Sequence, residues 1–304
     1  MNDSAPRIVA VGDLTADLIV EVPELPIRAD DFLLAEQVGL EPGGSANLLI
    51  LLARLGASAV ALGTLGADLW GDQVYQILKS EGVDPSPIRR EGTTSVALVL
   101  VDARGRHSFV GSYGKGKPLL LGDRETRIII GADALFTSGY SLAEARLRNL
   151  TLQALEVAGQ AGIPRFFDPG PAFKSLQPEV QRRALACSDV MLLTEEELLE
   201  LSLSGPHTVV VKRGAAGCRV YAEGSEAVEI PGLTGPVRDT TAAGDCFAAG
   251  YIWAKLQGRC PEECARLANC AGAAAVGKLG GGRNVPTVEE LRELILQDGR
   301  GIEI

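Results

Sequence analysis

Short apolar runs alternate with longer amphipathic or wholly apolar stretches along most of the chain. RIVAVGDL (7–14) is apolar until a closing Gly-Asp, the pattern of a strand buried on both faces, and NLLILLARLG (47–56) is apolar nearly all round, as a helix inside a large protein is. ADALFTSG (132–139) predicts a second strand, SLAEARLRNLTLQALEVAGQAG (141–162) a helix, and IPRFFDPG (163–170) a strand and loop. VMLLT (190–194) and TVVVKRG (208–214) are further short apolar runs stopped by polar or glycine signals. This alternation predicts an α/β chain with a doubly wound, mostly parallel sheet flanked by helices.

Two regions break the pattern. TTSVALVLVDARGRHSFVGSY (93–113) reads as two β-runs joined by a DARGR turn with no helix between, and DLIVEVPELPIRADDFLLAEQVGL (17–40) is a second β-rich stretch. Paired, they would form a small sheet standing off the main one, a lid over the carboxyl edge of the parallel strands. With no internal repeat or low-complexity linker, the expected organisation is one domain over 1–304, with a lid from inserted segments at about 17–41 and 93–113.

Composition narrows the function. The 304 residues are 46% hydrophobic, as expected of a globular protein. A net charge of −10 without a Lys/Arg-rich run argues against nucleic-acid or anionic-membrane partners and favours small soluble ligands. MNDSAPRIVAVGDL is acidic near its start and lacks the apolar core of a leader, and no charge-free window reaches membrane length, so a cytoplasmic location is expected. The six cysteines show no paired framework; CPEEC (260–264) has metal-knuckle spacing but no second pair or nearby histidine, which favours reduced thiols.

The chemistry concentrates in DTTAAGDCFAAG (239–250). Helical apolar spacing runs from about Ala242 through Phe247, Tyr251 and Trp253 to Leu256, which puts TAAGD at a helix N-terminus. Backbone N–H groups there lack intrahelical partners and the dipole end is positive, so small side chains let an anion approach closely. Asp245 is then either a charge complementing that dipole or a group acting on whatever the N–H cradle holds.

The same stretch resembles the D-T-T-G-A-G-D-x-F-x-x-G signature of the ribokinase (PfkB) family of carbohydrate and nucleoside kinases, departing only at Ala242. The resemblance runs through most of the chain. It implies a ribokinase-like fold and phosphoryl transfer from ATP to a hydroxyl, with Asp245 as general base and an anion hole at Ala242, Ala243 and Gly244. EPGGSANLLILLARLGASAVALGTLGADLWGD (41–72) is similar to the first family signature, where a Gly-Gly loop and an Asn grip sugar hydroxyls, implying Gly43, Gly44 and Asn47; only Ser45 and Ala46 separate the glycines from Asn47, so either the loop is one residue shorter than usual or Pro42 takes the place of the first Gly. VGDLTAD (11–17) is similar to the family's first strand and implies Asp17, with Asp13 second, as acceptors for substrate hydroxyls.

For the nucleotide, VVVKRGAAGCRVY (209–221) implies Lys212, Gly214 and Gly217 near phosphates or adenine, and ANCAGAAAV (268–276) implies Asn269 at the base. LLTEEELLEL (192–201) resembles an N-x-x-E stretch that arranges Mg²⁺, with Glu197 kept and Thr194 where Asn is usual. Many relatives use a monovalent cation such as K⁺; the alignment implies Asp239 and Thr241, with oxygens around Ala275, Lys278, Gly280 and Asn284. An exposed lid sheet in this family often pairs two subunits, implying a homodimer.

Two other motifs fare worse. GSYGKGKP (111–118) opens like a Walker A loop, but Pro118 stands where Ser/Thr holds Mg²⁺; Lys115 and Lys117 are then either solvated charges or contacts for an acidic group. A nicotinamide-dependent oxidoreductase needs G-x-G-x-x-G after the first strand, which VGDLTAD is not. A binding or regulatory protein that has lost turnover is the rival from another class. Gly139 and Tyr140 occupy the place where a ribokinase proper holds ribose with Glu, so ribose is not favoured; a ketohexose, a sugar acid such as 2-keto-3-deoxygluconate, and a nucleoside stay open. Tyr140 would stack on a base or pack on a sugar ring, and Arg106 on the lid turn would face solvent.

Overall fold

The computed structural model describes residues 5–201, 208–222, 224, 226–299 and 304. The chain opens with β1 (Arg7–Val11), β2 (Leu14–Val22), β3 (Gln37–Gly44), α1 (Ser45–Arg54), β4 (Ser58–Leu62), β5 (Thr64–Leu65), α2 (Leu69–Ser80) and β6 (Arg89–Arg90). It continues with β7 (Ser95–Asp102), β8 (His107–Ser112), α3 (Asp123–Ile130), β9 (Ala134–Ser138), α4 (Gly139–Ala143), α5 (Arg148–Gln160), β10 (Arg165–Asp168) and α6 (Pro178–Ala186). The remaining elements are β11 (Val190–Thr194), α7 (Glu195–Glu200), β12 (Thr208–Lys212), β13 (Cys218–Ala222), β14 (Val228–Ile230), α8 (Ala243–Leu256), α9 (Pro261–Val276) and α10 (Val288–Asp298).

Eight strands form the main sheet in the order β14-β13-β12-β11-β10-β9-β1-β4, parallel from β12 to β4, with β13 and β14 antiparallel at one edge. Its strands are apolar on both faces because both faces are covered. Ile8, Ala10, Phe136, Phe166, Leu192 and Val210 pack on the side of α1, α8 and α9, while Val9, Val11 and Leu135 pack on the side of α3 and α5. Phe167, Met191, Leu193 and Val211 complete that second side against Leu142, Leu152 and Leu185. α8 lies between α1 and α9, which accounts for nine successive buried residues from Cys246 to Ala254.

Strand order reverses around β1, which has β4 on one side and β9 on the other, and such a reversal opens a crevice at the carboxyl ends. A separate four-stranded sheet, β3-β2-β7-β8, stands at that edge. It is the small sheet expected from 17–41 and 93–113, but β2 begins at Leu14, and residues 23–36 contain no strand. The DARGR turn closes β7 onto β8: Asp102 accepts from the N–H groups of Arg104 and Arg106. Arg106 is exposed, and its guanidinium returns to Asp102 at 2.7 Å.

The long helix expected over 141–162 is two helices. Glu144 is extended at the end of α4, and Glu144 and Arg146 form a buried ion pair that also reaches Thr93 O at the base of the small sheet. The apolar period continues across a break made by this polar tie. No helix among the described residues is long and apolar enough to cross a membrane.

Candidate active site

Successive parallel strands end in polar residues that share one edge. Asp13 follows β1 by two residues, and Ser138, Asp168, Thr194 and Lys212 are the last residues of β9, β10, β11 and β12. The register places Ser138 beside Asp168 and Thr194 beside Lys212. Together with Asp245 and Asn47, and with Thr15, Asp17, Ala97 and Phe109 of the small sheet, they line a cleft of about 550 Å³.

Asp245 sits in the first turn of α8 at the floor of this cleft. The residue before the helix, Ala242, has φ 62° and ψ 1°, a left-handed conformation that costs a residue with a Cβ about 1–2 kcal/mol and that glycine adopts freely. This is the position at which the signature has Gly and this chain has Ala. Among the described residues, no protein acceptor meets the N–H of Ala242, Gly244 or Asp245, whereas Ala243 N–H is taken by Thr240 O at 3.3 Å. A Cβ on Gly244 would stand 3.6 Å from Lys212 Nζ, so its absence keeps the space between the helix end and the ammonium open.

Burial drives the Asp245 pKa up to about 7; the Asn47 hydrogen bond opposes it, and the charges of Asp168 and Asp13 add to it. Asn47 Nδ2 donates to Asp245 Oδ2 at 2.8 Å while its Oδ1 accepts from Gly282 N–H at 2.7 Å. The Gly282 donor thereby fixes which way the carboxamide points. Asp13 is 5% exposed, and Ser138 and Ser141 donate to its Oδ1; burial lifts its pKa to about 6. Burial lifts Asp17 equally, against a 2.6 Å bond from Thr15 Oγ1.

The two expected glycines are not in a loop. Gly43 and Gly44 end β3, paired with Thr15 and Leu14 of β2. A Cβ on Gly43 would lie 2.0 Å from Asp17 Oδ2, and one on Gly44 2.4 Å from Asp13 O, where φ is also +63°. Each glycine makes room for one aspartate.

At the other end of the cleft, Lys212 Nζ holds Asp168 Oδ2 at 2.6 Å. Burial works against the ammonium, but the Asp168 charge, with Glu197 and Asp245 behind it, keeps its pKa above the ordinary lysine value. Burial and then Asp168 push Glu197 up. Thr194 and Glu197 cap α7 reciprocally, Thr194 Oγ1 accepting from Glu197 N–H and Glu197 Oε2 from Thr194 N–H at 2.8 Å.

Gly214, Gly217 and Asn269 do not line the cleft. Gly217 has φ 92° and presses on the Pro231–Gly232 backbone, while Asn269 donates to Pro231 O at 3.1 Å and ties α9 to β14. Of the expected cation ligands, Asp239, Thr241 and Gly280 come together: Asp239 Oδ1 accepts from the Thr241 N–H and hydroxyl, and Oδ2 from Gly280 N–H at 2.7 Å. The Lys278 ammonium pairs with Glu290, at 2.6 Å. Ala275 O receives Lys278 N–H, and Asn284 N–H goes to Gly281 O.

Sequence reasoning left out Asp168, Ser138, Thr15 and Ser45. Asp168 had a signal in FDPG, an aspartate closing an apolar run before a turn. Ser45 Oγ lies buried in the lining without a hydrogen-bond partner among the described residues. Lys115 and Lys117 are exposed and outside the lining, and residues 113–115 of the Walker-like segment have no regular structure.

The model of the pfkB family carbohydrate kinases matches residues 5–288. The chain belongs to the PfkB family. It is 30% identical over 295 residues to the ATP-dependent ribose-1-phosphate kinase of Halopiger xanaduensis, covering 93% of this chain and 96% of that one. It is 29% identical to probable fructokinase-4 of Arabidopsis thaliana, over 97% of this chain and 98% of the other. The structure of Arabidopsis thaliana ribokinase with ribose and ATP aligns at TM-score 0.81 and 25% identity, covering 96% and 99%. The fold is likewise that of a putative ribokinase II of E. coli in complex with ATP and Mg²⁺, at TM-score 0.83 and 22% identity, covering 97% and 100%. The PfkB chain is thus a carbohydrate kinase, a phosphotransferase with an alcohol group as acceptor.

Proposed function

We propose that this PfkB kinase transfers the γ-phosphoryl group of ATP to a hydroxyl of a sugar-like acceptor, with Asp245 as the general base. The observation that carries this reading is Asp245 itself, raised to about 7 beside three N–H groups that meet no protein acceptor among the described residues. A base poised near the working pH accepts the acceptor's proton most effectively. As the acceptor oxygen bonds to phosphorus and the bond to the departing ADP oxygen breaks, the proton passes to Asp245. The N–H groups of Ala242, Gly244 and Asp245 donate to the charge on the transferring group. Ala243 stays in the helix turn without contributing its own N–H, which goes to Thr240 O.

Asp17 and Asp13 accept hydroxyls of the acceptor, and Asn47 orients Asp245. Lys212, Asp168, Thr194 and Glu197 would hold the phosphates and Mg²⁺, and the donor set suits a divalent ion: Asp168 and Glu197 share only one ammonium. Bound there, Mg²⁺ would neutralise phosphate charge. Closure of the small sheet would exclude water and suppress hydrolysis of ATP.

The outer face of that sheet supports a homodimer. Leu18, Val20, Val38, Leu40, Leu98 and Val110 are cross-strand neighbours on the face away from the cleft, with Val38 64% and Val110 66% exposed. Sedimentation of the wild type against Val38→Asp tests it, a monomeric wild type refuting the pairing.

The intact Asp245 environment disfavours the reading in which turnover is lost. The central test is ATP-dependent phosphorylation across hexoses, pentoses and nucleosides beside Asp245→Asn. Turnover lost in the variant supports the reading; turnover that survives at the same rate removes Asp245 as base.

A further inference from the structure

The walls of the cleft are short of positive charge. Five carboxylates line it, Asp13, Asp17, Asp168, Glu197 and Asp245, and among the described residues Lys212 is the one lysine or arginine there. That ammonium is bound to Asp168 at 2.6 Å. Cations behind the walls are committed as well: Arg146 to Glu144, Arg283 to Glu41 at 2.8 Å, and Lys278 to Glu290 at 2.6 Å. On the small sheet, Arg106 is held by Asp102 and His107 leans on Asp239 at 3.9 Å, both outside the lining. Freeing any of these would strand a partner, three of which, Glu144, Asp102 and Asp239, are at most 3% exposed.

What the acceptor end offers instead is hydroxyls and ring faces. Thr15, Ser45, Ser95 and Ser138 stand among Asp13, Asp17 and Asp245, and the Ser45 hydroxyl has no protein partner among the described residues. Phe109, Tyr113 and Tyr140 line the same space.

Resting on the kinase reading, we infer that the acceptor is an uncharged polyol, and that the cleft excludes sugars and nucleosides already bearing a carboxylate or a phosphate. Neighbouring ring hydroxyls donate to the aspartates, which only accept. An anionic substituent would meet three like charges and, among the described residues, no free cation. Of the three acceptor classes the sequence leaves open, the sugar acid drops out. The chain also parts here from the Halopiger relative, whose name specifies a phosphorylated acceptor.

Matched pairs test this: ribose against ribose 1-phosphate and ribose 5-phosphate, uridine against its 5′-monophosphate, and glucose against gluconate, each with ATP and Mg²⁺. The neutral member is expected to lead in kcat/KM by on the order of 100-fold, the effect of one like charge at close range in a partly desolvated site. Asp17→Asn and Asp13→Asn should narrow that ratio whatever they do to the absolute rate. An anionic acceptor turned over as well as its neutral partner overturns the inference and leaves the kinase reading standing. A ratio unchanged in both variants overturns it too, because charge would not be its source. Loss of all ATP-dependent transfer, including Asp245-dependent ATP hydrolysis, would instead remove the kinase reading.

Discussion

Removing the Asn47 carboxamide should shift the pH at which the enzyme switches on. In the folded protein Asn47 donates a side-chain hydrogen bond to Asp245 at 2.8 Å, and this is the largest influence opposing the burial that lifts the carboxyl to about 7. A hydrogen bond to a charged group is worth about 1.5–3 kcal/mol, and 1.36 kcal/mol corresponds to one pH unit, so Asn47→Ala should raise the Asp245 pKa by about one to two units. At pH 7.5 the ionised fraction would fall from about three-quarters to between about 3% and 25%. Only ionised Asp245 accepts a proton. kcat at pH 7.5 should therefore drop about 3- to 25-fold and recover above about pH 9.5.

The assay is ADP release at saturating acceptor from pH 5.5 to 10. The same variant leaves the Gly282 N–H without its acceptor at 2.7 Å, a separate cost of about 1–3 kcal/mol that appears in the thermal midpoint and not in the pH profile. If kcat falls while its acid limb stays where the wild type has it, Asn47 acts on the acceptor directly and the positioning argument is wrong.

Other perturbations follow from the same site. Asp245→Asn should lower kcat by about 10²- to 10⁴-fold. Its effect on stability depends on pH: a carboxyl raised from 3.8 to about 7 keeps its proton in the folded state after the unfolded chain has lost it, so stability falls as pH rises from about 4 to about 7. The variant should therefore melt higher than wild type at pH 8 and equally at pH 4; equal midpoints at pH 8 would show that Asp245 is not destabilised by burial. Asp168→Asn removes the charge that most raises Asp245 after burial and should move the acid limb of kcat toward lower pH, opposite to Asn47→Ala; a shift upward would contradict the assigned electrostatics. Ala242→Gly relieves left-handed strain of about 1–2 kcal/mol against a comparable entropic cost in the unfolded chain, so chemical denaturation should find it neutral to about 1 kcal/mol more stable, never less.

Periodicity made the sheet legible because a strand covered on both faces has to be apolar without interruption. The run VMLLT is β11 to the residue, and TVVVK is β12. Periodicity failed where a polar pair interrupts a helix at no cost to the apolar stripe. Leu142 and Leu150 both stay buried across the Glu144–Arg146 break, so nothing in their spacing reveals it. The start of β2 at Leu14 was hidden for a related reason: VGDLTAD contains the end of one strand and the beginning of another, with only Gly12 and Asp13 between.

The site divides along the same line. Residues held by a local device could be read from sequence, because TTAAGD carries its helix start, its small side chains and its acid within six positions. Residues that matter through topology could not. Asp168 becomes part of the cleft because β10 ends level with β9 and because Lys212 arrives from a strand 44 residues later. The glycines show why motif spacing alone misleads: their requirement is set by the carboxylates of Asp17 and the backbone of Asp13 on the neighbouring strand, not by their distance from Asn47. A deviation from a family pattern is therefore best judged by what a Cβ would touch. By that measure the shortened Gly-Gly spacing changes nothing at the aspartates, and Ala242 retains the left-handed turn that leaves the N–H groups free, at a cost in strain and not in geometry.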